Sequence, residues 1–344
     1  MGSLWLSIKK IDSLENALLS TLAILISFCF IDAYYGPFKR EHIILIIAAQ
    51  SIGGIYLTGS NRIRFLTSFK FSTLILCLCI VAFLAQYHIT ILVLSIIWLA
   101  FNITYCFRFF PKNAGDLIIP ASLIFFFVLS SGKNEIEYVS FTFIGCVIGS
   151  LCQLFFALFL LLYKKTRKPQ RTFPNSSITT NQSKSTHSLK LNNEEIFYSI
   201  RLAVMLLIGI YISEYSSLKH SYWIPFSIVV LSRISLQVTH KRILSRIGGT
   251  LLGCIIAYLI FSIQLPKSFL FCLIVIVNGM FVFYLRRNYA VATFYITLFV
   301  LLQSCYEETL DLKMTLERFC FTVLSGVLVF GFSYVEPKLF YQKT

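Results

Sequence analysis

Charged residues are scarce in this chain. Lys, Arg, Asp and Glu make up 13% of its 344 residues, whereas they make up about a quarter of an ordinary soluble domain. Hydrophobic residues account for 57% of the chain, and its mean hydropathy is +0.78. This shortage of charge excludes a typical soluble domain and indicates a protein that lies largely within a membrane.

Residue patterns typical of catalytic sites or metal sites are also scarce. No nucleophile with a base and no paired carboxylates at a catalytic spacing stand out in the sequence. The ten cysteines lie in or beside apolar segments, Cys77 and Cys79 do not have a zinc spacing, and the five histidines do not cluster. The sequence therefore predicts no enzyme activity, no metal site, no structural disulfide and no cofactor.

A nucleotide-hydrolysing domain is missing as well. The glycine-rich stretch that begins at Arg246, RIGGTLLG, lacks the lysine of a phosphate-binding loop. The longest hydrophilic stretch is too short to hold an ATPase domain. Any active transport must therefore draw on an ion gradient or on a separate subunit.

The chain instead contains about twelve apolar segments, each close to the ~20 residues that cross the hydrocarbon of a bilayer. The residue patterns at 111–114 and 286–290 are similar. This similarity suggests that a unit of six segments occurs twice, both times in the same orientation in the membrane. We predict an all-α integral membrane protein with about twelve transmembrane helices in two six-helix halves. The predicted spans are 17–34, 42–59, 66–85, 89–107, 115–131, 139–163, 196–213, 222–238, 247–263, 268–285, 289–305 and 317–334.

One hydrophilic stretch divides these segments. It contains seven Lys and Arg residues, Pro169, Pro174 and many Ser, Thr and Asn residues, a composition that cannot bury a core. We predict an N-terminal membrane half at 1–163, a basic cytoplasmic linker at 164–195 and a C-terminal membrane half at 196–344.

The net charge of the chain is +15, and its Lys and Arg residues are distributed as the predicted topology requires. With the N-terminus in the cytoplasm and twelve crossings, 23 of the 30 Lys and Arg residues lie on the inner side and 7 on the outer side, as the positive-inside rule requires. The apolar run after Lys9 and Lys10 is predicted to be a retained first span, because Asp12 and Glu15 interrupt a signal-like basic region. We predict a multi-pass inner-membrane protein with both termini in the cytoplasm, and no binding of nucleic acid.

The most specific stretch runs from Tyr222 to Gly253. Tyr222 and Trp223 open a helix as interfacial aromatic residues do, and Gly249 and Gly253 form a small-xxx-small face that lets another helix approach. An Arg followed by a Thr four residues later occurs here and again near the C-terminus. We predict a helix-packing role for this shared motif, with its two arginines beginning helices on opposite faces of the membrane: Arg246, Gly249, Thr250, Gly253, Arg318, Thr322 and Gly326.

At these residues the chain resembles the fusaric acid resistance and aromatic acid exporter family, best between about Tyr222 and Pro337. The resemblance implies an inner-membrane exporter of small organic acids, often aromatic, driven by the proton gradient. Two features depart from the family. The linker is only ~30 residues long, where many members carry a soluble domain, and Leu231-Ser232-Arg233 stands where the family tends to have a Gln-Pro pair.

Three residues are candidate substrate ligands. Arg233 is predicted to lie roughly 16 Å into the membrane, where it either meets the carboxylate of an organic acid or snorkels to the cytoplasmic surface. Gln50, at a similar depth in the second span, either lines a pathway or bonds a neighbouring helix. Pro225 either breaks its helix to expose polar backbone or simply starts it.

The sequence therefore predicts a transporter that exports small organic anions, with the membrane lipids as its other partner. A passive anion channel and a non-transporting membrane protein whose linker binds a protein or anionic lipid stay open as alternatives. Whether the chain forms a homo-oligomer or works with an accessory membrane subunit also stays open.

Overall fold

The computed structural model describes residues 2–39, 41–54, 61–109, 114–130, 136–166, 191–216, 220–263, 265–285, 287–307 and 312–340. Every regular element in these ranges is an α-helix, which confirms the all-α prediction. Residues 167–190, most of the predicted linker, lie outside them. The helices are α1 (Gly2–Tyr34), α2 (His42–Gly53), α3 (Asn61–Ala85), α4 (Ile89–Phe109), α5 (Ala114–Ser130), α6 (Glu137–Thr166), α7 (Asn193–Tyr215), α8 (Trp223–Leu231), α9 (Leu236–Ser262), α10 (Lys267–Tyr284), α11 (Tyr289–Glu307) and α12 (Leu312–Phe340).

Eight of the described helices are long and apolar enough to cross a membrane, namely α1, α3, α4, α6, α7, α9, α10 and α12. The chain is thus a multi-pass membrane protein, whereas twelve complete crossings stay a prediction. The remaining helices, α2, α5, α8 and α11, are the second and fifth in each set of six. With 9 residues in α8 and 12 in α2, these two are only about 14 and 18 Å long, too short for ~30 Å of hydrocarbon.

The predicted eighth and ninth spans are divided differently in the structure. Helix α8 ends at Leu231, the backbone is extended at Ser232 and Ser235, and α9 begins at Leu236. A break therefore lies inside the predicted span 222–238. The prediction that Arg246 and Arg318 begin helices is wrong, because Arg246 lies ten residues into α9 and Arg318 six residues into α12.

The first six helices contact the last six in a repeated pattern. Helix α1 packs on α10, and α7, six helices later, packs on α4. The first contact contains a hydrogen bond of 3.2 Å from Asn278 Nδ2 to Ser20 Oγ, and the second contains one of 2.7 Å between Thr104 Oγ1 and Ser199 Oγ. In both, a serine on the first helix of one set meets a polar side chain on the fourth helix of the other set. Two related six-helix units would produce this pattern.

Glycines bring α9 against α11. A Cβ atom on Gly249 would lie 2.8 Å from the carbonyl oxygen of Ala290, and one on Gly253 would lie 2.9 Å from Cβ of Thr297. Real side chains do not approach so closely, so only glycine fits at either position. Thr250, between them, receives a hydrogen bond of 3.4 Å from the Thr297 hydroxyl.

Glycines of α6 meet α2 in the same way. A Cβ atom on Gly149 would lie 2.7 Å from the carbonyl oxygen of Ala49, and one on Gly145 would overlap the carbonyl oxygen of Leu45. The glycines of α6 therefore hold α2, a short helix of the first set, as those of α9 hold α11 in the second.

Candidate functional site

A cavity lies where α2, α5, α8 and α11 meet. These four helices are the ones outside the eight candidate spans and are called the short helices below. The empty volume of the cavity, with the opening included, is about 850 Å³. Its wall is formed by α2, α5, α8 and α11, together with one residue of α9 and the end of α10. Most lining side chains are apolar, and the polar ones are Gln50, Ser51, Arg246, Tyr289 and Thr293. An apolar wall with a few polar groups is typical of a small-molecule site, and short apolar segments at matching positions of two repeats mark such sites in transporters.

Two of the short helices end inside the protein, which leaves backbone carbonyl groups without helical partners. At the end of α2, Gln153 of α6 donates hydrogen bonds to the carbonyl oxygens of Gly53, at 2.7 Å, and Ile52, at 3.4 Å. At the end of α8, Arg242 of α9 donates to the carbonyl oxygen of Val230 at 3.4 Å. Side chains from neighbouring helices thus replace the water that would satisfy these carbonyls outside a membrane.

Arg233 caps the same end of α8. Its Nη1 donates to the carbonyl oxygens of Ser232, at 2.5 Å, and Val229, at 3.3 Å, and its guanidinium lies 4.5 Å from the centre of the Phe107 ring. The C-terminus of a helix carries partial negative charge, so a cation there is stabilising. Arg201 reinforces the cap through a bond of 3.2 Å from its Nη2 to the carbonyl oxygen of Arg233.

We expect Arg233→Gln to lower the stability of the folded protein. The substitution removes charge-assisted bonds to carbonyls that have no other partner among the described residues, at a cost of roughly 1–3 kcal/mol. Thermal unfolding in detergent, followed by size-exclusion chromatography, measures the stability. Lys241→Gln, which removes an exposed cation from α9, is the matched control. Unchanged stability would mean that the end of α8 does not depend on the bonds from Arg233.

Two other arginines have no such partners. Arg246 is 3% exposed and lines the cavity, and its Nε and Nη2 atoms are buried without a hydrogen bond. Arg318 is 2% exposed, and its Nε, Nη1 and Nη2 atoms are all buried without one. The two residues lie on α9 and α12, which pack against each other. The sequence placed them on opposite faces of the membrane because it took each as the start of a helix, and the structure shows that neither is.

Trp223 connects this pair of arginines to the cavity. The guanidinium carbon of Arg318 lies 3.3 Å from the centre of the Trp223 ring, and Trp223 itself lines the cavity. Such stacking on an aromatic face stabilises a cation that has lost its water. The ring of Trp223 thus lies between Arg318 and the cavity that Arg246 lines.

Gln50 belongs to a buried polar chain across the two sets of helices. Its Nε2 donates to Oδ1 of Asn278 at 2.5 Å, and Asn278, fully buried in α10, donates in turn to Ser20 of α1. Gln50 thus bonds a neighbouring helix, α10, and it also lines the cavity, while its place on a substrate pathway stays a prediction.

The structure separates the three predicted substrate ligands. Gln50 lines the cavity, but Arg233 and Pro225 are not among the described residues that do. Pro225 lies in the first turn of α8, with its Cα 3.5 Å from where a Cβ of Gly209 on α7 would lie. Sequence reasoning missed Arg246 and Trp223 as cavity residues. Once the break after Leu231 is known, Arg246 is recognisable as a cation within a long apolar helix.

Of the remaining motif residues in the second set, Thr322 bonds within its own helix and Gly326 lies at a helix contact. Thr322 Oγ1 donates to the carbonyl oxygen of Arg318, in its own helix, at 3.0 Å. A Cβ atom on Gly326 would lie 3.2 Å from Cγ2 of Ile243, which is tight but not impossible. Gly326 is thus a point of contact between α12 and α9.

Comparison with protein families finds a match in the second half of the chain. Residues 207–332 match the family described as fusaric acid resistance protein-like. The resemblance predicted from the sequence is confirmed over this segment, which contains α8 to α11 and most of α12.

Curated relatives are similar over a comparable length. A 145-residue segment, 42% of this chain, is 28% identical to the uncharacterized protein YhfK of Escherichia coli and covers 20% of it. A 105-residue segment, 30% of this chain, is 30% identical to the inner membrane protein YccS of the same organism and covers 15% of it. The matched segments thus span a fifth or less of these relatives. No solved structure matches the chain.

Proposed function

We propose that this membrane protein, which carries a fusaric acid resistance protein-like segment at residues 207–332, exports small organic anions across an inner membrane. The substrate binds in the cavity between the four short helices, with its carboxylate on Arg246. The observation that carries the proposal is the placement of Arg246, a buried cation without a hydrogen-bond partner at its Nε and Nη2, on an otherwise largely apolar wall.

The chemistry of the wall supports an organic anion over an inorganic one. A buried guanidinium presents a planar fork of donors that matches a carboxylate. The aromatic residues Trp223 and Phe226 on α8 and Phe281 on α10 suit an apolar body, which an inorganic ion lacks. An aromatic acid combines both features, in keeping with the family resemblance.

The placement of the cavity supports transport over simple binding. It lies between helices of the first set, α2 and α5, and helices of the second set, α8 and α11. In transporters built from two repeats, the substrate site lies at such an interface, and movement of one unit against the other opens it to alternate sides. We propose that the two predicted halves, 1–163 and 196–344, move in this way.

The residues of the cavity wall bear on the energy source of transport. The resemblance implies the proton gradient, yet no carboxylate and no histidine is among the described residues that line the cavity. A passive anion channel, which needs no coupling group, is therefore the second candidate. Counterflow distinguishes the two, because only a carrier is accelerated by substrate on the opposite side of the membrane.

We expect purified protein in vesicles of phosphatidylethanolamine and phosphatidylglycerol to accumulate labelled benzenecarboxylates faster when the vesicles are preloaded with the unlabelled anion. This trans-stimulation follows if the loaded carrier reorients faster than the empty one. Protein-free vesicles and vesicles with heat-denatured protein are the controls. Flux without trans-stimulation would identify a channel, and the absence of any flux would contradict the proposed function.

A further inference from the structure

We propose that Arg246 and Arg318 form one paired anion site, so that the preferred substrate carries two acidic groups on an apolar, ring-containing body. The inference rests on the proposed function and deepens it, because it names the substrate class. One carboxylate is held by Arg246 at the cavity wall, and the second reaches Arg318 past the edge of Trp223, on which Arg318 stacks.

Buried arginines of this protein fall into two groups. Half-buried Arg233 and Arg242 donate hydrogen bonds to the carbonyl groups at the end of α8, and buried Arg201 donates to the carbonyl group of Arg233, so a role in the fold explains all three. Arg246 and Arg318 make no hydrogen bond or ion pair among the described residues, although most of their guanidinium nitrogens are buried. A guanidinium that served only to pack helices would bind such carbonyls, as those of the first group do.

The charge balance points to a dianion. Burial of two cations on the packed helices α9 and α12 is unfavourable unless negative charge compensates both. Glu317 precedes Arg318 in the chain but forms no ion pair with it, and the wall of the cavity has no carboxylate among its described residues. A bound monoanion leaves one positive charge uncompensated, whereas a dianion neutralises both.

Trp223 determines how the second acidic group reaches Arg318. Its ring lines the cavity and carries the Arg318 guanidinium at 3.3 Å from its centre. It also lies 5.5 Å from the ring of Phe226, centre to centre and edge-on. The body of the substrate contacts these rings while its two carboxylates lie on either side of Trp223, which favours a rigid aromatic dicarboxylate over a flexible aliphatic one.

The test compares two anions that share a ring and differ only in charge, isophthalate and benzoate, in vesicles containing the full chain. We expect kcat/KM for isophthalate to exceed that for benzoate by about tenfold or more, since one additional charge-assisted contact is worth roughly 1.5–3 kcal/mol. We expect Arg318→Gln to abolish this preference by slowing isophthalate alone, and Arg318→Lys to restore part of it. The control is Lys313→Gln, which removes an exposed cation from the same helix.

Two results would overturn the inference while leaving the transport function intact. The first is wild-type protein that transports benzoate as well as isophthalate, a measurement that needs no variant and so does not depend on folding of a mutant. The second is an Arg318→Gln protein that loses both activities by the same factor, as a purely structural arginine would. Wild-type protein that transports neither anion would instead contradict the transport function itself.

Discussion

Replacing Arg246 by glutamine is expected to reduce transport of organic anions roughly 10- to 100-fold, because a charge-assisted contact to the carboxylate is worth about 1.5–3 kcal/mol. The folded protein should be as abundant as the wild type or more so. Arg246 has no carboxylate partner among the described residues, so its removal leaves no other charge unpaired and takes a buried cation out of the fold.

Transport per folded molecule, measured in vesicles with protein quantified by size-exclusion chromatography, tests this expectation. Arg246→Lys should keep part of the rate, since it retains the charge but loses the planar fork of donors. The matched control is Lys241→Gln, which removes a cation from the exposed face of the same helix and should leave the rate unchanged. Full activity in Arg246→Gln would remove Arg246 from the substrate site.

Replacing Gly249 by leucine is expected to remove most of the folded protein from the membrane. Even a single methyl group at this position would lie 2.8 Å from the carbonyl oxygen of Ala290, so a leucine must push α9 away from α11. Overpacking of this kind costs roughly 1–3 kcal/mol for added methylenes, and the clash with backbone leaves no side chain to move aside.

The neighbouring glycine provides the control. A Cβ atom on Gly248 would meet nothing within 4 Å, so Gly248→Leu adds the same side chain one residue away without a clash. It should leave the amount of folded protein unchanged or slightly raise it, because glycine is unfavourable in a helix interior. Equal losses in both variants would mean that bulk anywhere in this part of α9 is harmful and that the α9–α11 contact is not responsible.

Most of the helices were predictable because their signal is local. In a bilayer each segment must satisfy its own backbone groups, so an apolar run of sufficient length becomes a helix whatever its neighbours are. The segment 89–107 corresponds to α4 at Ile89–Phe109, and the segment 268–285 to α10 at Lys267–Tyr284. Gly249 and Gly253 were also recognisable, since their spacing alone places them on one helix face.

The break after Leu231 could not be predicted from apolar content, because the sequence stays largely apolar from Tyr222 to Val238 around Arg233. The helix ends there because Arg233 and Arg242 satisfy the freed carbonyl groups, and Arg242 belongs to the next helix. The same applies to α2, whose final carbonyls are satisfied by Gln153, about 100 residues later in the chain.

The sequence by itself determined that the protein is an all-helical, multi-pass membrane protein, where most of its helices lie, and which glycines allow close contact, since these properties depend on each segment alone. Only the tertiary structure decided that α2, α5, α8 and α11 form one cavity, that Arg246 lines it, and that Arg318, 72 residues later in sequence, stacks on Trp223 in the same wall. The physical reason is that the state of a buried charge depends on which distant groups surround it, and packing brings those groups together.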